Sequence, residues 1–216
     1  MVRQALRTLQ SATFCLNFDE QTTKPHGDYL YYVKVASPNF CGLSYIGKVK
    51  PLNPIYLSFA CQDPVGVAMH ETMHALGVLH QHLRADRDYY VAMQWSNINP
   101  QLYDYFAIAD PAKFTSYGTR YDYGSIMHYA PYTGALDLAK PTMVPKFERA
   151  RNLPRMGQRK ALGPADIDLL NRMYCKSVLC RDSNVYCGLW AVRNLCTRRS
   201  QSTWMAQNCQ KSCKMC

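Results

Sequence analysis

His70-Glu71-Thr72-Met73-His74-Ala75-Leu76-Gly77-Val78-Leu79-His80 decides how this chain is read. The pattern is H-E-x-x-H-x-x-G-x-x-H. His70 and His74 are four residues apart, so on a helix they share one face. Two imidazole nitrogens at that spacing reach one ion at about 2.0–2.1 Å, the zinc–nitrogen distance. Glu71 follows the first histidine and sits beside such an ion without binding it, where it accepts the proton of an attacking water. Gly77 takes positive φ, which stops the helix and turns the chain back. His80 then arrives as a third ligand. Three protein ligands leave one position open, the mark of a catalytic zinc site and not of a structural one. A bare H-E-x-x-H arises by chance in many helices; the glycine and the third histidine at fixed offsets set this stretch apart.

A second element lies about fifty residues downstream, Ser125-Ile126-Met127-His128-Tyr129. The extended histidine motif and a Met-turn occur together in the metzincins. His80-Gln81-His82-Leu83-Arg84-Ala85-Asp86-Arg87-Asp88 resembles the astacin continuation H-E-x-x-R-x-D-R-D, and S-I-M-H-Y is that family's Met-turn. Phe14-Cys15-Leu16-Asn17-Phe18 and Cys41-Gly42-Leu43-Ser44-Tyr45-Ile46-Gly47 resemble its cysteine-bearing segments. The resemblance runs from Ala5 to about Cys175. It implies an α+β, zincin-like catalytic domain of two subdomains with the active-site cleft between them, over residues 1–176, its N-terminus truncated.

For the site, the resemblance implies one Zn²⁺ per chain, held by His70, His74 and His80. It makes Glu71 the general base, Tyr129 the donor to the oxyanion and Met127 an apolar floor beneath the metal. A thioether is a poor zinc ligand beside three imidazoles, which agrees with a structural Met127. His82 and His128 lack ligand offsets and are expected to be surface or hydrogen-bonded residues. Arg84, Asp86, Arg87 and Asp88 are expected to form an ion-pair network after His80. Gln81 departs from the family, which has a glutamate there that pairs with the mature N-terminus. An amide cannot make that ion pair, although it can hydrogen-bond; hydrolysis is expected to survive because the catalytic residues are intact.

The chain has 216 residues, 48% of them hydrophobic, enough for one sizeable core and a small module. No run approaches the ~18 apolar residues of a membrane span. Its ten cysteines indicate an oxidising compartment, hence a secreted protein. Residues 1–7 are polar and read as an amphipathic helix with Ala5, Leu6, Leu9 and Ala12 on one side, not as a signal peptide. The chain is therefore expected to begin inside a longer precursor. Net charge is +10. No zinc-finger, RNP or helix-turn-helix pattern accompanies the basic residues, so a solvated basic surface or an acidic substrate is expected and nucleic acid is not.

Tyr29–Ala36 and Pro54–Ala60 read as strands, Val65–Leu79 as the helix that carries the motif, and Gly163–Tyr174 as a final helix with Ile167, Leu170 and Tyr174 on one face. Cys15, Cys41, Cys61 and Cys175 are widely spaced, whereas Cys180, Cys187, Cys196, Cys209, Cys213 and Cys216 crowd the C-terminus, which puts a boundary near 176–179. The astacin resemblance implies Cys15–Cys175 and Cys41–Cys61. In the chain-entropy model these loops stabilise by about 5 and about 3 kcal/mol. The last six cysteines, with Cys187-Gly188-Leu189-Trp190 and Trp204-Met205 between them, resemble a ShKT module over 180–216, which implies Cys180–Cys216, Cys187–Cys209 and Cys196–Cys213. Toxins of that type block potassium channels through a Lys-Tyr pair, which the loop between Cys196 and Cys209 lacks.

These readings lead to a monomeric, secreted zinc endopeptidase acting on protein or peptide substrates, extracellular matrix among them. Lys146, Arg149, Arg151, Arg155 and Arg159 lie where the family shapes its primed-side pocket, so acidic residues just after the scissile bond are expected. The competing reading is a secreted binding or toxin-like protein acting through the ShKT module.

Overall fold

Leu9 and Ala5 are four residues apart and both fully buried, which makes Val2–Ala12 an amphipathic helix, α1, packed against the helix of the histidine motif. The computed structural model describes residues 1–36, 39–175, 181–198 and 201–213. These residues fold into two compact units. The first comprises Met1–Ala12 with Phe18–Leu169, the second Thr13–Asn17 with Leu170–Cys216.

The first unit begins with a three-stranded sheet. β1 (Tyr29–Val35) runs parallel to β3 (Leu52–Ser58), and β2 (Gly42–Ser44) pairs antiparallel on the other side of β3. Alternation places Asn53, Ile55 and Leu57 of β3 inside. The strand starts two residues earlier than its apolar run suggests and ends at Ser58. Pro54 is tolerated in this central strand because β2 reaches only Ile55 to Leu57, leaving Pro54 beyond its end.

α2 (Pro64–Ala75) packs against β2 and β3, with every residue from Gly66 to Ala75 buried. Pro64 at its first turn supplies a preset φ and no N–H that would need a partner. The helix stops four residues short of the expected Leu79. Gly77, at φ 92°, donates its N–H to the His74 carbonyl (2.8 Å), and Val78 donates to the Met73 carbonyl (2.9 Å). This is the Schellman arrangement, in which a left-handed glycine satisfies the last helical carbonyls and reverses the chain.

Beyond His80 the unit is loops and short elements, as its Pro, Gly and Asn content predicts. α3 (Arg87–Tyr90) leads into β4 (Val91–Met93), which pairs antiparallel with β5 (Met143–Pro145); α4 (Arg149–Asn152) follows. Val91, Ile98, Phe106, Tyr121, Tyr123, Met143 and Met156 form its core, with Tyr129 packed on the edge. α5 (Pro164–Tyr174) buries Asp166, Leu170 and Asn171, while Tyr174 is exposed. The expected stripe of Ile167, Leu170 and Tyr174 is therefore rotated: a buried carboxylate, unreadable from apolar spacing, sets the inward face.

In the second unit, α6 (Cys187–Val192) and α7 (Ser202–Asn208) enclose a small core of Cys187, Met205 and Cys209. The disulfides among the described residues are Cys15–Cys175, Cys41–Cys61, Cys187–Cys209 and Cys196–Cys213. Cys180–Cys216 lies outside the described residues. No helix among the described residues is long and apolar enough to cross a membrane.

Candidate metal centre

α2 and the reversal after it bring three ring nitrogens to one point. The Nε2 atoms of His70 and His74 are 3.1 Å apart, those of His74 and His80 3.1 Å, and those of His80 and His70 3.2 Å. A triangle of that size lets one ion lie about 2.0–2.1 Å from all three. The opposite ring nitrogens of two of them are tied down: His70 Nδ1 donates to the Ile126 carbonyl and His74 Nδ1 to the Val78 carbonyl, each at 2.8 Å. Both rings are thereby held as the tautomer whose Nε2 lone pair faces the triangle. The Val78 carbonyl is in place because Gly77 turned the chain back, so one glycine delivers His80 and orients His74.

Burial keeps these rings neutral. It pushes His70 and His80 well below the ordinary imidazole value and His74 to about 4, with neighbouring positive charge acting the same way. Three neutral imidazoles aiming lone pairs at one another are unfavourable unless a cation lies between them, so the donor set fits a zinc ion.

Glu71 is on the same helix, directly after His70, and buried. Burial raises its carboxyl to about 7, and the field of Arg159 opposes that rise. β2 crosses directly over it. A Cβ added at Gly42 would overlap the Glu71 carboxyl group, so the strand approaches this closely only because residue 42 has no side chain. Gly66 plays a comparable part on α2, where the Arg159 backbone carbonyl fills the space a Cβ would take. The Arg159 guanidinium donates to the carbonyls of His128 (3.2 Å) and Gln158 (2.9 Å). It is the cation whose field reaches Glu71, Tyr129 and all three histidines.

Tyr129 lies against His80, ring centroids 4.4 Å apart, and against His82 at 4.0 Å. Burial raises its phenol above the usual value, which keeps it a neutral O–H donor. Met127 is fully buried, and its carbonyl accepts the Gln81 N–H at 2.9 Å. The loop that carries both is pinned by Asp166, whose carboxylate accepts from Ser125 Oγ (2.5 Å), the Ile126 N–H (2.9 Å) and the Gly163 N–H (2.7 Å). Ile126 then passes that constraint to His70 through its carbonyl.

His82 and His128 are fully buried, not surface residues. His128 bonds the Tyr121 hydroxyl and the Tyr129 carbonyl, both at 2.8 Å, and His82 Nε2 meets the Tyr105 carbonyl at 3.0 Å. Their burial follows from tertiary packing of aromatic residues around the loop, which no local pattern announces. Arg84 and Asp86 form a two-pronged pair with both contacts at 2.8 Å, and Arg87 pairs with Asp88 at 3.0 Å. Arg84 also binds the Thr119 carbonyl, and buried Arg87 reaches those of His82 and Phe106, so the pairs tie distant loops together as well as their own turn.

Sequence reasoning missed Gly42, Gly66 and Asp166. The glycines matter through contacts with residues far along the chain, and Asp166 looked like an ordinary acidic residue in a first helical turn.

Comparison with known proteins gives this geometry a setting. Residues 1–175 match the family model Astacin (Peptidase family M12A), and residues 179–216 match an ShK domain-like model. Zinc metalloproteinase nas-10 of Caenorhabditis elegans is 53% identical over 215 residues, covering 100% of this chain and 40% of that protein. Zinc metalloproteinase nas-9 of the same organism is 54% identical, covering 100% and 39%. The chain thus spans about two-fifths of the length of these relatives. Among solved structures, high choriolytic enzyme 1, a hatching enzyme zinc-protease from Oryzias latipes (Medaka fish), matches with TM-score 0.69 and 28% identity, over 81% of this chain and 80% of that one. The hatching enzyme shares the α+β, zincin-like architecture of the catalytic part, and this chain carries a disulfide-rich ShK-like module after it.

Proposed function

The chain belongs to the astacin family, peptidase family M12A, and on that premise we propose that it is a secreted zinc metalloendopeptidase cleaving protein substrates. The catalytic part is assigned to residues 1–176 and the ShKT module to 180–216. The observation that carries the reading is the convergence of three Nε2 atoms within 3.2 Å of one another, off a helix that also buries the carboxyl group of Glu71. His70, His74 and His80 would hold one zinc ion, consistent with the zinc metalloproteinases that this chain resembles. Bound there, zinc supplies Lewis-acid polarisation of the scissile carbonyl and lowers the pKa of water toward neutrality.

The protein's own groups do the rest. Glu71, with its carboxyl raised toward neutral pH, takes the proton of the attacking water and returns it to the leaving amine. Arg159 keeps a share of Glu71 ionised, so that it can act as a base. Tyr129 donates its phenolic hydrogen to the charge that develops on the carbonyl oxygen. Met127 closes the floor, and Asp166 holds the loop on which both sit.

Secretion is supported by the closed disulfides, which persist in oxidising compartments. We take the chain to act as a monomer, with extracellular matrix proteins among its substrates. Of the five basic residues after the Met-turn, Arg151 pairs with Glu148 and Arg155 with Asp122, while Lys146 Nζ donates to the Asp88 carbonyl at 2.5 Å. Of the five, Arg159 has a field that reaches both Glu71 and Tyr129, and we take it to favour an acidic residue just after the scissile bond. A peptide library digested by the enzyme should show that bias, and a flat profile at that position would remove it. Cleavage of casein or gelatin, with and without a zinc chelator, tests the activity itself. Absent or chelator-insensitive cleavage by the correctly bridged chain would favour a binding protein that acts through its ShKT module.

A further inference from the structure

The C-terminal module wears its apolar residues on the outside. Val185 is 92% exposed and Val192 83%, and Tyr186, Leu189 and Trp204 are exposed as well. The helical bonds from the Trp190 N–H to the Tyr186 carbonyl (3.0 Å) and from the Arg193 N–H to the Leu189 carbonyl (3.2 Å) fix the order of side chains on α6. Helical spacing then sets Leu189 and Val192 on one side of α6 and Tyr186 and Trp190 on the next, with Arg193 at their end, and exposed Val185 lies in the turn just before the helix. Trp204 of α7 joins them: its ring meets that of Trp190 edge-on at 5.5 Å, and the Tyr186 ring lies 5.8 Å from that of Trp190. Trp190 also packs on the core of Cys187, Met205 and Cys209, which roots the patch in the disulfide framework.

Charge identifies the partner. Within 179–216 stand Arg181, Arg193, Arg198, Arg199, Lys211 and Lys214 against a single acid, Asp182. That carboxylate is drawn into the module, accepting from the Ser212 hydroxyl at 2.6 Å and its N–H at 3.0 Å. Aliphatic tips, a tryptophan–tyrosine cluster and an excess of arginine match the three layers of an anionic lipid surface: acyl boundary, interface and headgroup phosphate. A site for sulfated sugars would set polar side chains around open ring faces, where this one sets Val185, Leu189 and Val192. A channel plug would need a lysine beside the aromatics, and α6 has none.

We propose that this face of the module binds the surface of anionic phospholipid bilayers. Val185, Leu189 and Val192 enter the acyl boundary, Trp190, Trp204 and Tyr186 lie at headgroup level, and Arg193 meets lipid phosphate. The proposal is independent of the metal centre.

The test uses the whole chain and sedimentation with vesicles of phosphatidylcholine, alone or mixed with phosphatidylserine, together with tryptophan quenching by brominated acyl chains. The chain should bind the mixed vesicles and not the neutral ones, and in a Trp95→Phe background the emission of Trp190 and Trp204 should be quenched. Val185→Ser with Val192→Ser should weaken partitioning about tenfold or more, and Arg193→Glu about fivefold or more. Both variants sit on the surface, so circular dichroism and disulfide content should be unchanged. The proposal is overturned by absence of binding to the mixed vesicles, or by binding without quenching that the valine variants leave intact. Binding to a heparin fragment that the valine variants abolish, with no vesicle binding, would also overturn it and assign the face to a glycan.

Discussion

The first unit hides its polar chemistry and the second displays its apolar surface. In α2, ten consecutive residues are buried, two imidazoles of the histidine tripod and a carboxyl group among them. In the module, the buried core among the described residues is little more than Cys187, Met205 and Cys209, while valines, a leucine and aromatic rings face solvent. The difference is one of size and means. A large unit can bury polar groups because neighbouring elements satisfy them, as Ile126 and Val78 do for the histidines. A short disulfide-bridged segment holds its shape by covalent links and so has apolar residues to spare for contact.

The comparison can be broken at either end. The largest effect is expected from Glu71→Ala, which should lower turnover by about 10²–10⁴ while zinc content is retained. Metal analysis beside peptide hydrolysis checks it, and loss of zinc in step with activity would show that Glu71 serves the site only as structure. Next comes Cys187→Ser with Cys209→Ser, expected to cost the module about 2–5 kcal/mol. Hydrogen exchange should then show α6 and α7 opened while α2 stays protected, with hydrolysis of a short soluble peptide maintained. Opening of α2 to the same extent would mean that the two units do not hold themselves up by different means.

Acid should act on the first unit through its buried histidines. Burial lowers His128 from 6.5 to about 4 and His82 to about 3, so between the ordinary value and those values the unfolded chain binds protons that the folded one refuses. Stability from these groups is complete above about 6.5 and is lost as pH falls toward 4 and below, by a few kcal/mol in all. Asp166, raised to about 6, works the other way, and its contribution fades as pH rises through that value. Urea midpoints of the metal-free protein should therefore drop from pH 7 to pH 4.5, and a flat profile would show those rings to be wetter than the fold implies.

The smallest effect separates contact from chemistry. Gly42→Ala should lower kcat about tenfold, with KM and zinc content nearly unchanged, because the new methyl displaces the Glu71 carboxyl group. In a Glu71→Ala background the same substitution should no longer destabilise the protein, since the truncated side chain leaves room. Equal destabilisation in both backgrounds would place the clash elsewhere.

Legibility in the sequence followed the range of the interaction. The tripod was readable because its three imidazoles lie within eleven residues, where helical periodicity and one left-handed glycine fix their relation. Strand β1 showed through its aromatic and β-branched residues and β3 through alternation, though the helix end was overrun because Val78 and Leu79 continue an apolar run past the turn. The inward face of α5 did not show, because Asp166 faces in to meet the Ser125 hydroxyl and the Ile126 N–H some forty residues away. The burial of His82 and His128 was equally hidden, since aromatic residues from several loops create it.

What the sequence determined by itself is the local chemistry: which imidazoles share a helix face, where the chain must reverse, and which segments are dense enough in cysteine to fold around disulfides. What only the tertiary structure decided is the environment of that chemistry. Gly42 lies over Glu71, Arg159 within reach of its charge, and Asp166 beneath the loop that orients His70, because strands, helices and loops distant in sequence pack together. Spacing along a chain fixes directions within one element, whereas burial and electric field are sums over every element that packs around it.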